Sequence, residues 1–150
     1  MATIGGGGDG VLNGSDIKDK IFGGAGDDVI RGFGGNDKLS GDAGKDRLVG
    51  GEGDDKLTGD GKDGGSFADT FVFGKDSGKD IITDFEVGKD MLEIAKGLNG
   101  IKSPEDVFDH AKQKGHDVVI DLGHGNKITL KNVDLDDLKK SPADEHFDIV

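Results

Sequence analysis

Large aliphatic side chains recur singly and at a fixed interval along the first part of the chain. Leu12, Ile21, Ile30, Leu39, Leu48 and Leu57 stand nine residues apart, each at the centre of a three-residue group such as Lys38-Leu39-Ser40. A three-residue strand sends its middle side chain one way and its neighbours the other. The six aliphatics therefore predict a thin inner column. A period this short excludes a helical solenoid, whose repeating unit needs about thirty residues or more. It predicts very short strands joined by tight turns. Two blocks then make one coil of eighteen residues, blocks alternate between two facing sheets, and coils stack about 4.8 Å apart.

Past Phe71 the pattern changes. TFVF, DIITDF and DMLEIA read as strands, with Phe71, Phe73, Ile81, Phe85 and Leu92 as core candidates. Ser103-Pro104-Glu105-Asp106 has the form of a helix start, Gly115 of its end, and Val107, Phe108 and Ala111 of its apolar face. DVVIDL and KITLKNV alternate around GHGN and predict a hairpin. A short turn around Leu135–Leu138 and a strand over Phe147–Val150 complete the chain.

Between the aliphatics lie glycine and aspartate in equally strict phase. From Gly23 the blocks read GGAGDDVIR, GFGGNDKLS, GDAGKDRLV and GGEGDDKLT. Each opens with glycine and carries aspartate at its sixth place; GSDIKDKIF precedes them in step. GDGKDGGSFADTFVF follows from Gly59 and fits only if about five residues bulge from its turn. These blocks resemble the repeats-in-toxin nonapeptide G-G-x-G-x-D-x-U-x, a calcium-binding parallel β-helix repeat. The likeness extends to the C-terminal domains of serralysins and the R-modules of alginate epimerases.

The resemblance implies an all-β fold, a parallel β-roll with calcium in its turns. Calcium takes six to eight oxygens at about 2.3–2.6 Å, which two stacked turns supply as main-chain carbonyls plus one carboxylate each. The implied ligand turns are Gly23, Gly24, Ala25, Gly26, Asp27 and Asp28, then Gly32, Gly34, Gly35 and Asp37. Gly41, Ala43, Gly44 and Asp46 follow, then Gly50, Gly51, Gly53, Asp54 and Asp55, with Asp19 and Asp69 at the ends. Paired carboxylates are Asp19 with Asp37, Asp28 with Asp46, Asp37 with Asp55, and Asp46 with Asp69, which gives about four Ca²⁺ ions. Gly10 holds the aspartate place in the first block, which counts against a site there. Aspartate and glycine also favour turns without any metal, but turn chemistry alone does not fix one phase six times over. Asp80 and Asp90 read as strand-end solvation, with a further cation as the other reading.

Composition sharpens this picture. The chain has 150 residues, 31 acidic and 19 basic side chains, a net charge of −12 and 29 glycines. Crowded carboxylates and glycine-rich turns are costly to order, so folding of this half is expected to need the metal. The acidic balance argues against nucleic acid as a partner. There is no cysteine, and no apolar run approaches a membrane span. MATIGGGGDG lacks the regions of a cleaved signal peptide. The terminal Asp148-Ile149-Val150 resembles the uncleaved C-terminal signal of proteins that leave Gram-negative cells by type I secretion. The expected division is a calcium-binding roll over residues 1–73 and a capping and secretion-signal region over 74–150, β-rich with one short helix. The expected location is extracellular.

No catalytic constellation is legible. His110, His116, His124 and His146 lack zinc-protease spacing. His116 and His124 flank the predicted hairpin, within reach of each other or as exposed turn residues. The expected function is non-catalytic: calcium-triggered folding and secretion of a parent protein. The alternative is an accessory module binding an acidic, alginate-like polysaccharide. Lys20, Lys38 and Lys56 precede inward aliphatics at eighteen-residue intervals and should form an outward basic ladder on one sheet, with Val11, Val29, Arg47 and Thr70 in the same place on the other. A ladder that keeps the sheet soluble is the competing account.

Overall fold

A computed structural model describes residues 5–62 and 65–150. The start of the expected roll and residues 63–64 of the swollen block lie outside the described residues. Ten short strands open the chain: β1 (Gly6–Gly7), β2 (Val11–Ser15), β3 (Lys20–Ala25), β4 (Val29–Gly34) and β5 (Lys38–Ala43), then β6 (Arg47–Glu52), β7 (Lys56–Thr58), β8 (Thr70–Phe73), β9 (Lys79–Ile82) and β10 (Met91–Ile94). Odd strands pair in one sheet and even strands in the other, all parallel. Ile21, Leu39 and Leu57 stack from one side, and Ile30 and Leu48 from the other. All five are fully buried, and Phe71, Ile82 and Leu92 extend the column.

The remaining elements finish both sheets. A four-residue helix α1 (Asp106–Asp109) leads into β11 (Ala111–Lys114), β12 (Asp117–Gly123) and β13 (Asn126–Leu130). Helix α2 (Leu135–Lys140) and β14 (Phe147–Ile149) follow. β13 pairs parallel to β9, with β12 and β11 continuing that sheet antiparallel. β14 pairs parallel to β10. One buried cluster runs from Ile21 to Phe147, and both sheets pass through residue 73 without a break. Among the described residues no helix is long and apolar enough to cross a membrane.

Three expectations need correction. The helix over 103–115 shrinks to α1, because residues 111–114 pair with 117–120 along the open edge of the sheet. Asp106 does not sit in a long helix; its carboxylate accepts the N–H groups of Lys102 and Ser103. A second helix, α2, stands where a short turn was expected. Asp134 caps it by accepting the Asp136 N–H at 2.8 Å, acids fill its first turn, and Lys139 and Lys140 its last, an arrangement that suits the helix dipole. Ile81 is not core but 40% exposed, and Ile82 takes the inner place. His116 and His124 occupy opposite ends of β12, both exposed, and do not approach each other.

Candidate metal centre

Each coil turns at two corners, and each corner carries a column of aspartates. One column holds Asp19, Asp37, Asp55 and Asp80; the other holds Asp28, Asp46, Asp69 and Asp90. All eight are buried. Their backbone N–H groups donate upward to the next carboxylate: Asp19 to Asp37 Oδ1 at 2.7 Å, Asp37 to Asp55 at 2.8 Å and Asp55 to Asp80 at 2.9 Å. In the other column Asp28 donates to Asp46 at 2.8 Å, Asp46 to Asp69 at 2.9 Å and Asp69 to Asp90 at 2.9 Å. Gly10 donates to Asp28 in the same sense but offers no carboxylate itself. The ladder thus joins every predicted aspartate pair.

The second carboxylate oxygen is what singles out the site. In Asp28, Asp37, Asp46, Asp55 and Asp69 the Oδ2 atom is buried with no hydrogen-bond partner. A buried carboxylate left this way is costly. Burial raises all five pKa values above 3.8, with nearby carboxylates adding to it and the backbone N–H offsetting it. Asp46 is pushed up to about 6, and Asp55 and Asp69 to about 7.

Bare glycines make room for these oxygens. A Cβ on Gly23 would stand 2.5 Å from the Gly41 carbonyl oxygen and 2.6 Å from Asp28 Oδ2. Gly32, Gly41, Gly50 and Gly59 lie equally close to Asp37, Asp46, Asp55 and Asp69. Gly26, Gly35, Gly44 and Gly53 have positive φ and press against the preceding coil, while Gly24 and Gly51 share that backbone form at the second place. Phe33 and Asp42 occupy this second place with positive φ despite their side chains. Ala25 and Ala43 end the strand pairs of their turns, and Gly34 pairs with Glu52. Among the described residues no three acidic or imidazole side chains converge on one point. A cation here must draw most of its oxygens from the main chain. A hard cation suits that donor set: carboxylate oxygens short of partners beside inward carbonyls.

Asp27 and Asp54 do something else as well. Asp27 Oδ1 accepts the Lys45 N–H and Asp54 Oδ1 the Lys79 N–H, each at 2.8 Å. Asp9 and Asn36 do the same for Asp27 and Asp54. This fifth-place ladder runs in the opposite sense to the sixth-place one, so adjacent turns are tied in both directions.

At the top of each column the sequence favoured the wrong one of two readings. Asp80 and Asp90 are 2% and 1% exposed, so strand-end solvation does not describe them. Burial pushes them up to about 8 and about 7. A signal was present: Gly78-Lys79-Asp80 and Gly88-Lys89-Asp90 repeat Gly44-Lys45-Asp46. The swollen block returns to phase as expected, Asp69 standing 23 residues after Asp46 in place of eighteen.

The lysine ladder also forms. Lys20 pairs with Lys38 and Lys38 with Lys56, while Val11, Val29, Arg47 and Thr70 align on the other sheet. Lys38 and Lys56 border a groove of about 710 Å³ that Phe22, Ser40, Thr58 and Thr83 also line.

Comparison with known proteins agrees with this geometry. Residues 4–39, 13–48 and 31–61 match the RTX calcium-binding nonapeptide repeat (four copies). The fold is similar to that of the extracellular lipase LipA from Serratia marcescens, with a TM-score of 0.66 and 27% identity over 93% of this chain. The chain spans 20% of that lipase. It is also similar in fold to the AlgE6R2 subunit of the mannuronan C5-epimerase from Azotobacter vinelandii: TM-score 0.63, 24% identity, 91% of this chain and 90% of the subunit. No curated protein matches the sequence.

Proposed function

Residues 4–61 belong to the RTX calcium-binding nonapeptide repeats, and from that premise we propose that the chain is a calcium-folded module of a secreted protein. The observation that carries this is the set of five buried Oδ2 atoms without partners. Calcium ions between stacked turns would take these oxygens together with main-chain carbonyls of the glycine turns. In the resting cytosol, where calcium is scarce, the chain would stay open and threadable through a type I exporter. Outside the cell calcium would close the coils. Extracellular modules work with weak sites, about 10⁻⁴–10⁻³ M. Residues 74–150 would cap the roll. Any catalysis would belong to a parent protein.

Far-UV circular dichroism during a calcium titration tests this, with magnesium as control. The expected result is a cooperative coil-to-β transition with calcium alone. A chain already folded in chelator and indifferent to calcium would refute the proposal.

A second reading is supported by the lysine-edged groove: an acidic polysaccharide lying along Lys20, Lys38 and Lys56. Replacing all three by glutamine should then abolish retention on a polyuronate gel while leaving the calcium transition intact. Unchanged retention would mean that the lysines serve solubility.

A further inference from the structure

The sheet that does not carry the lysine ladder has a groove of its own. We propose that this groove receives the tyrosine ring of an acidic peptide segment from a partner protein. Phe33, Val49 and Val72, on β4, β6 and β8, give it apolar walls, and its volume is about 290 Å³. Pockets for drug-sized ligands begin at about 300 Å³, so the space suits a single ring.

Three residues mark the groove as prepared for an occupant. Phe33 is 48% exposed and holds φ at 76°. At the same place of their blocks Gly24 and Gly51 stand at φ 101°. Asp42 also takes this form, but its carboxylate is engaged locally, accepting the Ser40 hydroxyl at 2.6 Å. A bulky aromatic has no such relief and is a true outlier there. Strain kept in order to present a ring points to a use for the ring. Gly74 is the converse case. Its φ lies outside the left-handed region, and a Cβ on it would meet nothing within 4 Å. Neither backbone nor packing asks for glycine, yet the space next to Val72 is left open. Ser77 lines the same groove and is 4% exposed, with its Oγ buried and without a partner. A buried hydroxyl in that state is costly, and a ligand's polar group would relieve it.

The balance of walls and polar groups selects the kind of ring. A sugar carries hydroxyls around its whole edge, and Phe33, Val49 and Val72 would leave most of them unpaired. An aromatic ring gains from those walls and stacks or abuts Phe33 favourably. A phenol adds the one hydroxyl that Ser77 Oγ can pair with. The 150 residues contain no tyrosine, so the ring comes from outside them and not from a second copy. Arg31 and Lys75 line the groove against a single acid, Glu52. That makes a locally positive spot on a chain of net charge −12, which suits acidic neighbours beside the tyrosine.

Heteronuclear NMR titration of the unaltered chain at saturating calcium tests this, with acetyl-Glu-Tyr-Glu-amide as probe. Its phenylalanine analogue and a uronate trimer are the comparators. The amide signals of Phe33, Gly51, Gly74 and Ser77 should move with the tyrosine peptide. Its affinity should exceed that of the phenylalanine peptide about five- to tenfold, the worth of one hydrogen bond to a buried group. Ser77→Ala should erase that preference, and Gly74→Val should weaken both peptides about tenfold or more with the calcium transition unchanged. Phe33→Gly separates ligand from fold: it should abolish binding and keep or raise the urea midpoint, because glycine takes this backbone form freely. A lowered midpoint with binding intact would assign Phe33 to the fold and overturn the proposal. So would equal affinity for the two peptides or the absence of shifts at the groove. Stronger shifts with the uronate trimer would overturn it too, and make the groove a sugar subsite.

Discussion

At the scale of single residues, the buried aspartates explain why the roll should resist forming without metal. Seven of them have pKa values raised by burial, five to about 6–8. A carboxylate raised on folding favours the folded state when protonated. Its contribution is fully present below the ordinary value of 3.8 and is lost as pH rises through the folded-state values. In chelator, therefore, lowering the pH from 8 to 5 should increase β-sheet signal, and saturating calcium should remove that dependence above pH 6. A calcium-free chain that loses β-sheet over this range would contradict the burial of the ladder. Gly32 offers a second test. A methyl group there would collide with Asp37 Oδ2 and the Gly50 carbonyl, so Gly32→Ala should lose one calcium ion and about 1–3 kcal/mol of stability, read from stoichiometry and urea midpoint.

At the scale of elements, the last strand closes the even sheet. β14 places Phe147 over Leu92, and Phe108 packs edge-on against Phe147 with ring centroids 5.4 Å apart. Removing that ring exposes the end of the aliphatic column. Phe147→Ala should cost about 3–5 kcal/mol in urea unfolding at saturating calcium, whereas Arg47→Gln should cost about 1 kcal/mol or less. Arg47 forks onto Glu93 at 2.6 and 2.7 Å across β8, but it is 40% exposed and such pairs contribute little. Legibility in the sequence followed the same division. The phases of Leu39 and Asp37 repeat strictly from Asp19 to Leu57, so strands, sheets and carboxylate pairs were readable from them. Asp80 and Asp90 were obscured because the glycines that announce the repeat are gone from Lys75 and Phe85. Residues 111–114 carry no alternation, and only the neighbouring edge of β12 makes them a strand.

At the scale of the molecule, charge and shape are coupled. About four divalent ions would take the net charge from −12 to about −4, relieving the self-repulsion that opposes compaction. In chelator at neutral pH, small-angle scattering should give a radius of gyration approaching about 40 Å, the unfolded expectation for this length. Calcium should bring it toward about 15 Å, with some excess for an elongated roll. A small radius in both conditions would mean that the core holds the chain without metal.

The alternation of odd and even strands gives the chain a parity. From β1 to β10 every strand finds its partner two blocks away, so the sheet to which a block belongs depends on whether the number of blocks before it is odd or even. Excising one nonapeptide, residues 32–40 for example, would send Lys56 to the face that carries Val29 and split the basic ladder between opposite sides. Excising two consecutive nonapeptides would leave every later strand on its own side and shorten the roll by a single coil. Insertions and deletions in such a chain are read as a two-letter frame, and only those that preserve it keep the two faces distinct.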